Sequence, residues 1–176
     1  MAGSLIKIQE VDGTGSATVT LSGIDSTYDV YQVIGTNLKP ATDDKDLGMR
    51  VTKDVTGTTT PQTTSNYDEA TKNPRIDTTF SNSYLPNYTQ WFPFSAIGNA
   101  AGEHANLNSY LFNFADASSY SFFTRENSQT VYDLDLFGMN GGGVYTVAEA
   151  HNGVQFFLES STNFASGIFT LYGLKK

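Results

Sequence analysis

Ser16-Ala17-Thr18-Val19-Thr20-Leu21-Ser22 decides the fold class. Apolar Ala17, Val19 and Leu21 alternate one for one with hydroxyl side chains. Successive side chains of an extended chain point to opposite faces, so this stretch is a strand with one apolar and one hydrated side. A helix would scatter the same residues around its axis.

Working outward, the rhythm recurs. Residues 4–10 read as an earlier strand with Ile6 and Ile8 on one face, and Asp12-Gly13-Thr14-Gly15 and residues 23–27 read as turns. Residues 28–35 are apolar on both faces apart from Asp29 and Gln32, the pattern of a central strand covered on both sides. After a polar loop at 37–46, Leu47, Met49 and Val51 alternate in a fourth strand. Further strands are expected at 107–114, 119–125, 132–137 and 167–174, with a hairpin pairing 144–150 with 154–159 around His151-Asn152-Gly153. Asn140-Gly141-Gly142-Gly143 reads as a flexible connection. About ten short strands, with turn signals every 8–12 residues or so, predict an all-β, antiparallel β-sandwich of jelly-roll type. In this reading residues 1–176 form a single domain, its first and last strands pair, and 54–74 and 84–106 are long irregular surface loops.

Composition points the same way. Of 176 residues, 51 are Thr, Ser or Asn, while charged residues make up only 16%. A net charge of −8 and the lack of any Lys/Arg cluster argue against a nucleic-acid partner. No run approaches the ~18 apolar residues of a membrane-spanning helix, so no membrane partner is expected. Met1 to Lys7 lacks the charged start and apolar core of a secretory leader. Cysteine is absent, which removes disulfides, thiol catalysis and thiolate metal sites together.

Candidate chemistry is sparse. His104 and His151 have no partner at metal-ligand spacing and read as loop histidines. Glu126, Glu149 and Glu159 could serve a glycosidase, which needs only two acids, but they sit where solvent-facing strand charges belong. Asp43-Asp44-Lys45-Asp46 matches a calcium loop poorly, with Lys45 at the third position and Asp54 at the twelfth, and reads as a solvated turn. Asp133 and Asp135 read as the outward face of a strand. No catalytic residue, cofactor or metal site is therefore expected. Residues 54–74 are Thr-rich and almost free of aliphatic side chains, too polar to order alone. The remaining signal is aromatic: Tyr84, Tyr88, Trp91, Phe92 and Phe94 crowd a stretch interrupted by Pro86 and Pro93. These rings are candidates for packing into one end of the sandwich, for a subunit contact, or for a platform that stacks on sugars.

Both ends of the chain are distinctive. Ser4-Leu-Ile-Lys-Ile-Gln-Glu-Val11 and Val19-Thr-Leu-Ser-Gly-Ile-Asp-Ser-Thr-Tyr-Asp-Val-Tyr31 open it. Val147-Ala-Glu-Ala150, Gly153-Val-Gln-Phe156 and Ala165-Ser-Gly-Ile-Phe-Thr-Leu-Tyr-Gly-Leu-Lys175 close it. Together they resemble small virion-associated proteins of tailed bacteriophages, marine ones in particular. The resemblance covers under half of the chain, leaves residues 54–106 without a counterpart, and transfers no functional residue. It implies a non-enzymatic virion component with a β-sandwich fold, made in the host cytoplasm and assembled onto the particle. The expected role is a capsid decoration or cement protein. Its partners would be the major capsid protein or tail components and sister copies, as in a homo-oligomer such as a trimer. A tail or baseplate piece, or a receptor-binding carbohydrate-binding module using residues 84–94, is the alternative.

Overall fold

The computed structural model describes residues 4–133 and 135–175. Part of the leader reading (residues 1–3) and Leu134 of the expected strand 132–137 lie outside these. The strands are β1 Ser4–Asp12, β2 Thr18–Ser22, β3 Val30–Pro40, β4 Lys45–Val55, β5 Thr58–Pro61, β6 Tyr67–Pro74 and β7 Phe80–Tyr88. They continue as β8 Trp91–Ile97, β9 Ala105–Phe112, β10 Ser121–Thr130, β11 Leu136–Tyr145, β12 Gly153–Leu158 and β13 Phe164–Lys175. Among the described residues the one helical element is a 3-10 turn at Glu159–Ser161.

Two antiparallel sheets pack face to face. The larger has the order β1-β13-β3-β9-β10-β11-β6-β7; the smaller runs β2-β12-β4-β5, with β8 also pairing with β4. The alternation that opened the sequence reading holds in β2: Val19 and Leu21 are buried and Thr18 is exposed. Both join a core that also holds Met49, Val51 and Phe156 of the smaller sheet and Val33, Leu111 and Leu171 of the larger. Phe156 stacks on Phe169 across the two layers, ring centroids 4.9 Å apart. β1 pairs with β13, so the first and last strands close one edge. β3 is central, between β13 and β9, as its two apolar faces require.

Several turns share one device. Oδ1 of Asp12, Asp25, Asp77 and Asp116 accepts the backbone N–H two residues on, from Thr14, Thr27, Thr79 and Ser118. A short carboxylate that mimics a turn carbonyl explains why Asp-x-Thr/Ser marks chain reversals here. Hydrogen bonds from the hydroxyls and the backbone N–H groups of these Thr and Ser residues hold all four carboxyls below their ordinary range.

The middle of the chain departs from expectation. Residues 54–74 are not an excursion: they supply β5 and β6, and β6 lies between β11 and β7 in the larger sheet. Residues 84–106 are not one long loop either, since they contain the end of β7, all of β8 and the start of β9. Residues 75–79 form the turn between β6 and β7. Gly141, Gly142 and Gly143 lie within β11, paired with β10 on one side and β6 on the other. The expected hairpin at 144–159 does not form: β11 belongs to the larger sheet and β12 to the smaller, so His151 stands on a crossover between layers. Asp133 precedes β11 in a turn and is exposed.

The reason is physical. At this end the inner face of the larger sheet is polar: Glu69, Thr71 and Asn73 of β6 and Arg125, Asn127 and Gln129 of β10 are all buried. Strands with polar side chains on both faces carry no hydrophobic alternation to find.

Candidate functional site

The five aromatic candidates do not form one platform. Trp91 and Phe94 are fully buried between the sheets and Phe92 is buried at their margin, whereas Tyr84 is 76% exposed and Tyr88 is also exposed. Trp91 belongs to a chain of touching core rings, Phe123–Trp91–Tyr67–Tyr145–His151–Phe114, with successive centroids 4.7–5.8 Å apart. The Trp91 indole N–H donates to Asp68 O at 3.2 Å.

β8 tolerates Pro93 in the interior because its backbone is satisfied from two directions. It pairs with β4 at Lys45/Ile97, Leu47/Phe94 and Met49/Trp91, with register shifts between these pairs. The inner side chains of β10 complete it. Arg125 Nη1 donates to Phe92 O at 2.5 Å, Asn127 Nδ2 to Pro93 O at 2.8 Å, and Gln129 Nε2 to Ser95 O. Glu69 Oε2 accepts the Phe92 N–H at 2.8 Å, and its Oε1 lies 2.9 Å from Arg125 Nη2. This buried ion pair is a clamp on both main-chain polar groups of Phe92. Burial pulls the Arg125 guanidinium below its ordinary value and Glu69 opposes that.

The other titratable candidates are likewise held by the fold. His151 is no solvated loop residue: it is 2% exposed, its Nδ1 lies 2.9 Å from Ser121 Oγ, and its Nε2 lies 3.5 Å from Glu149 Oε1. Burial pushes its pKa down to about 4, so the ring is neutral at pH 7. Glu149 is no free strand charge either. Partial burial would raise its pKa, but Lys53 Nζ at 2.6 Å outweighs that and lowers it. Glu126 is exposed, as expected. Asp46 accepts the N–H of Ala96, within β8, at 2.7 Å, Asp43 accepts that of Asn99, just beyond β8, at 2.9 Å, and Asp54 lies at the far end of β4. The calcium-loop pattern is thus broken up by a strand. Asp46 and Glu159 border a cleft of about 340 Å³, where burial raises both pKa values, and Asp46 raises that of Glu159 further. Among the described residues, no three His, Asp or Glu gather to hold a metal ion.

Two exposed surfaces among the described residues bring several large apolar side chains together. The first is a corner of the larger sheet. The β6–β7 turn, the start of β7 and the β10–β11 turn bring out Ile76 (62% exposed), Phe80 (63%), Tyr132 and Leu136. Pro74, Ile76 and Leu136 edge a recess of about 260 Å³ there. Arg75 lies over the Phe137 ring, 5.3 Å from its centroid. The second is the outer face of the same sheet. Tyr172, Gln32, Tyr110, Thr124, Gly142, Ala70 and Tyr84 stand in register across seven strands. The small residues leave a hollow of about 530 Å³ bordered by Tyr84, Pro86, Phe122 and Val144. A second hollow of about 580 Å³ shares Thr124 and is bordered by Asn108, Tyr110, Glu126 and Asn140.

Sequence reasoning found Tyr84 but missed Tyr110, Phe122, Ile76, Phe80, Tyr132 and Leu136. Phe122 and Tyr110 carried a local signal: in β9 and β10 each sits on the face opposite buried Leu111 and Phe123. The chain matches no family model, no curated protein and no solved structure. It defines a class by its architecture alone, an antiparallel two-sheet sandwich whose described clefts are accompanied by large exposed rings.

Proposed function

We propose that this chain is a non-enzymatic structural protein of a bacteriophage particle, a decoration or cement protein that binds the head shell and neighbouring copies. One observation carries the reading: Ile76, Phe80, Tyr132 and Leu136 are exposed together at one corner of the sandwich. A contiguous apolar patch on a soluble body marks a contact surface, whereas apolar residues scattered singly do not. The recess edged by Pro74, Ile76 and Leu136 is of a size to receive a partner's side chain, the arrangement of an anchoring residue in a protein interface. The corner lies beside β7, whose backbone pairs with β6 on one side and leaves an edge for a neighbour. β1 and β13 occupy the opposite edge of that sheet, so docking at the corner leaves the paired termini clear. The resemblance of the terminal strands to virion-associated proteins supports the same reading.

The test is peptide mass spectrometry of purified particles, combined with add-back of purified protein to particles lacking it. Wild-type protein is expected in the particles and to be retained on add-back. The Ile76→Asp/Phe80→Asp variant should keep native Trp91 fluorescence and lose retention. Absence of the chain from particles, or equal retention of the variant, rejects the proposal.

A further inference from the structure

We infer that the outer face of the larger sheet is a binding trough for a neutral oligosaccharide lying across the strands over Thr124, Gly142 and Ala70. Its position is fixed by register. Tyr110, Thr124, Gly142, Ala70 and Tyr84 are successive partners on β9, β10, β11, β6 and β7. Four inter-strand steps separate the two tyrosines, a span of about 19 Å. That suits several sugar units in a row. The three residues between the rings are the smallest in the row, so the floor is low and the rings form its ends.

Close packing compels glycine on both faces of β11 here, at Gly142 on the trough side and at Gly143 toward the core. A Cβ on Gly143 would stand 2.6 Å from the Trp91 indole nitrogen, and one on Gly142 would collide with the backbone of Phe123. The Gly-Gly-Gly run is therefore where β11 passes close to the strands and rings beside it.

The lining is divided as a sugar is divided. One long side is apolar, with Phe122 and Val144 paired in register and Phe112 beyond them. On the other side, Asn140, Lys72 and Asn82 are successive partners next to Glu126. A pyranose presents a C–H face to aromatic rings and a rim of hydroxyls to amides and carboxylates, and it meets both here. A protein partner would favour a core of large apolar side chains such as Ile76, Phe80 and Leu136, which the row of Glu126, Asn140, Lys72 and Asn82 does not offer. A polyanion would meet Glu126 and Asp68 on a chain of net charge −8. Lys72, the cation in this row, lies over the Phe80 ring with Nζ 4.7 Å from its centroid. Asn108, which borders the second hollow beside Tyr110, is held in place there by the buried Gln32, whose Nε2 donates to Asn108 Oδ1 at 2.8 Å.

The experiment is a titration of the full-length 15N-labelled protein, followed by NMR. The probes are cellohexaose, xylohexaose, mannohexaose and N-acetylchitohexaose, with a heparin hexasaccharide as the anionic comparison. At least one neutral hexasaccharide is expected to shift the amides of Ala70, Thr124 and Gly141 to Gly143 in a saturable way. Tyr84→Ala and Phe122→Ala, both surface changes, should each weaken it by roughly tenfold, about one lost stacking contact. Ile76→Asp, a change at the corner alone, should leave it unchanged, so failure of the trough and failure of the particle reading are told apart. Three outcomes overturn the inference: no neutral probe binding up to millimolar concentration, binding indifferent to both ring deletions, or preference for heparin. Self-association that protects Tyr84 and Phe122 would overturn it too.

Discussion

Replacing both members of the Arg125–Glu69 pair by apolar residues should destabilise the protein, although such replacements are commonly neutral or stabilising elsewhere. The difference lies in what else the pair does. Glu69 Oε2 satisfies the Phe92 N–H and Arg125 Nη1 satisfies the Phe92 carbonyl, both in the interior. Glu69→Leu alone strands a buried guanidinium and should cost about 3–5 kcal/mol. Glu69→Leu/Arg125→Met removes both charges, and with them the desolvation penalty of burying the pair, but leaves one donor and one acceptor of Phe92 without partners. At about 1–3 kcal/mol for each buried unsatisfied group, the double variant should be about 2–6 kcal/mol less stable than wild type. Urea unfolding followed by Trp91 fluorescence reads this directly, because Trp91 is the single tryptophan and adjoins Phe92. A double variant as stable as wild type would refute the clamp and reduce the pair to an ordinary buried ion pair.

Other expectations follow from the same contacts. His151 has a pKa near 4 when folded and near 6.5 when unfolded. The unfolded chain therefore takes up the proton first, and stability should fall as pH drops from about 6.5 to about 4, by up to roughly 3 kcal/mol. Comparing urea midpoints of wild type and His151→Phe across that range isolates this slope from Asp46 and Glu159, whose raised pKa values act in the opposite sense; equal slopes would contradict it. Trp91→Ala should cost about 3–5 kcal/mol and Tyr84→Ala no more than about 0.5, measured by circular dichroism during unfolding. Similar losses for both would mean that the two rings share one environment. Gly143→Ala should cost about 1–3 kcal/mol by overpacking against Trp91 and Phe123, and a neutral result would show β11 to be as loose as a flexible connection.

The fold was legible where burial is apolar. Val19 and Leu21 gave β2, the two-sided apolar run gave β3 as a central strand, and the two ends of the chain gave the closing pair β1 and β13. It was illegible where burial is polar. Glu69, Thr71 and Asn73 alternate inward in β6 as regularly as any aliphatic series. What makes them tolerable inside is Arg125 and the β8 backbone, dozens of residues away in sequence. The expected strand over 119–125 was cut short for the same reason, since β10 continues to Thr130 with Asn127 and Gln129 turned inward. The aromatic stretch 84–94 reads from sequence as one irregular loop, but it is parts of two strands, β7 with Tyr84 and Tyr88 exposed and β8 with Trp91 and Phe94 buried. Its division between an exposed strand and a buried one depends on sheet pairing that no local pattern encodes.

The central claim is that this sandwich works through its exposed corner and face as a part of a particle. A cryo-electron microscopy reconstruction of purified particles tests it most directly. The account predicts density for the sandwich at defined positions, with Ile76, Phe80 and Leu136 against another virion protein or a sister copy. Particles without such density, or a copy whose corner faces open solvent, would contradict it.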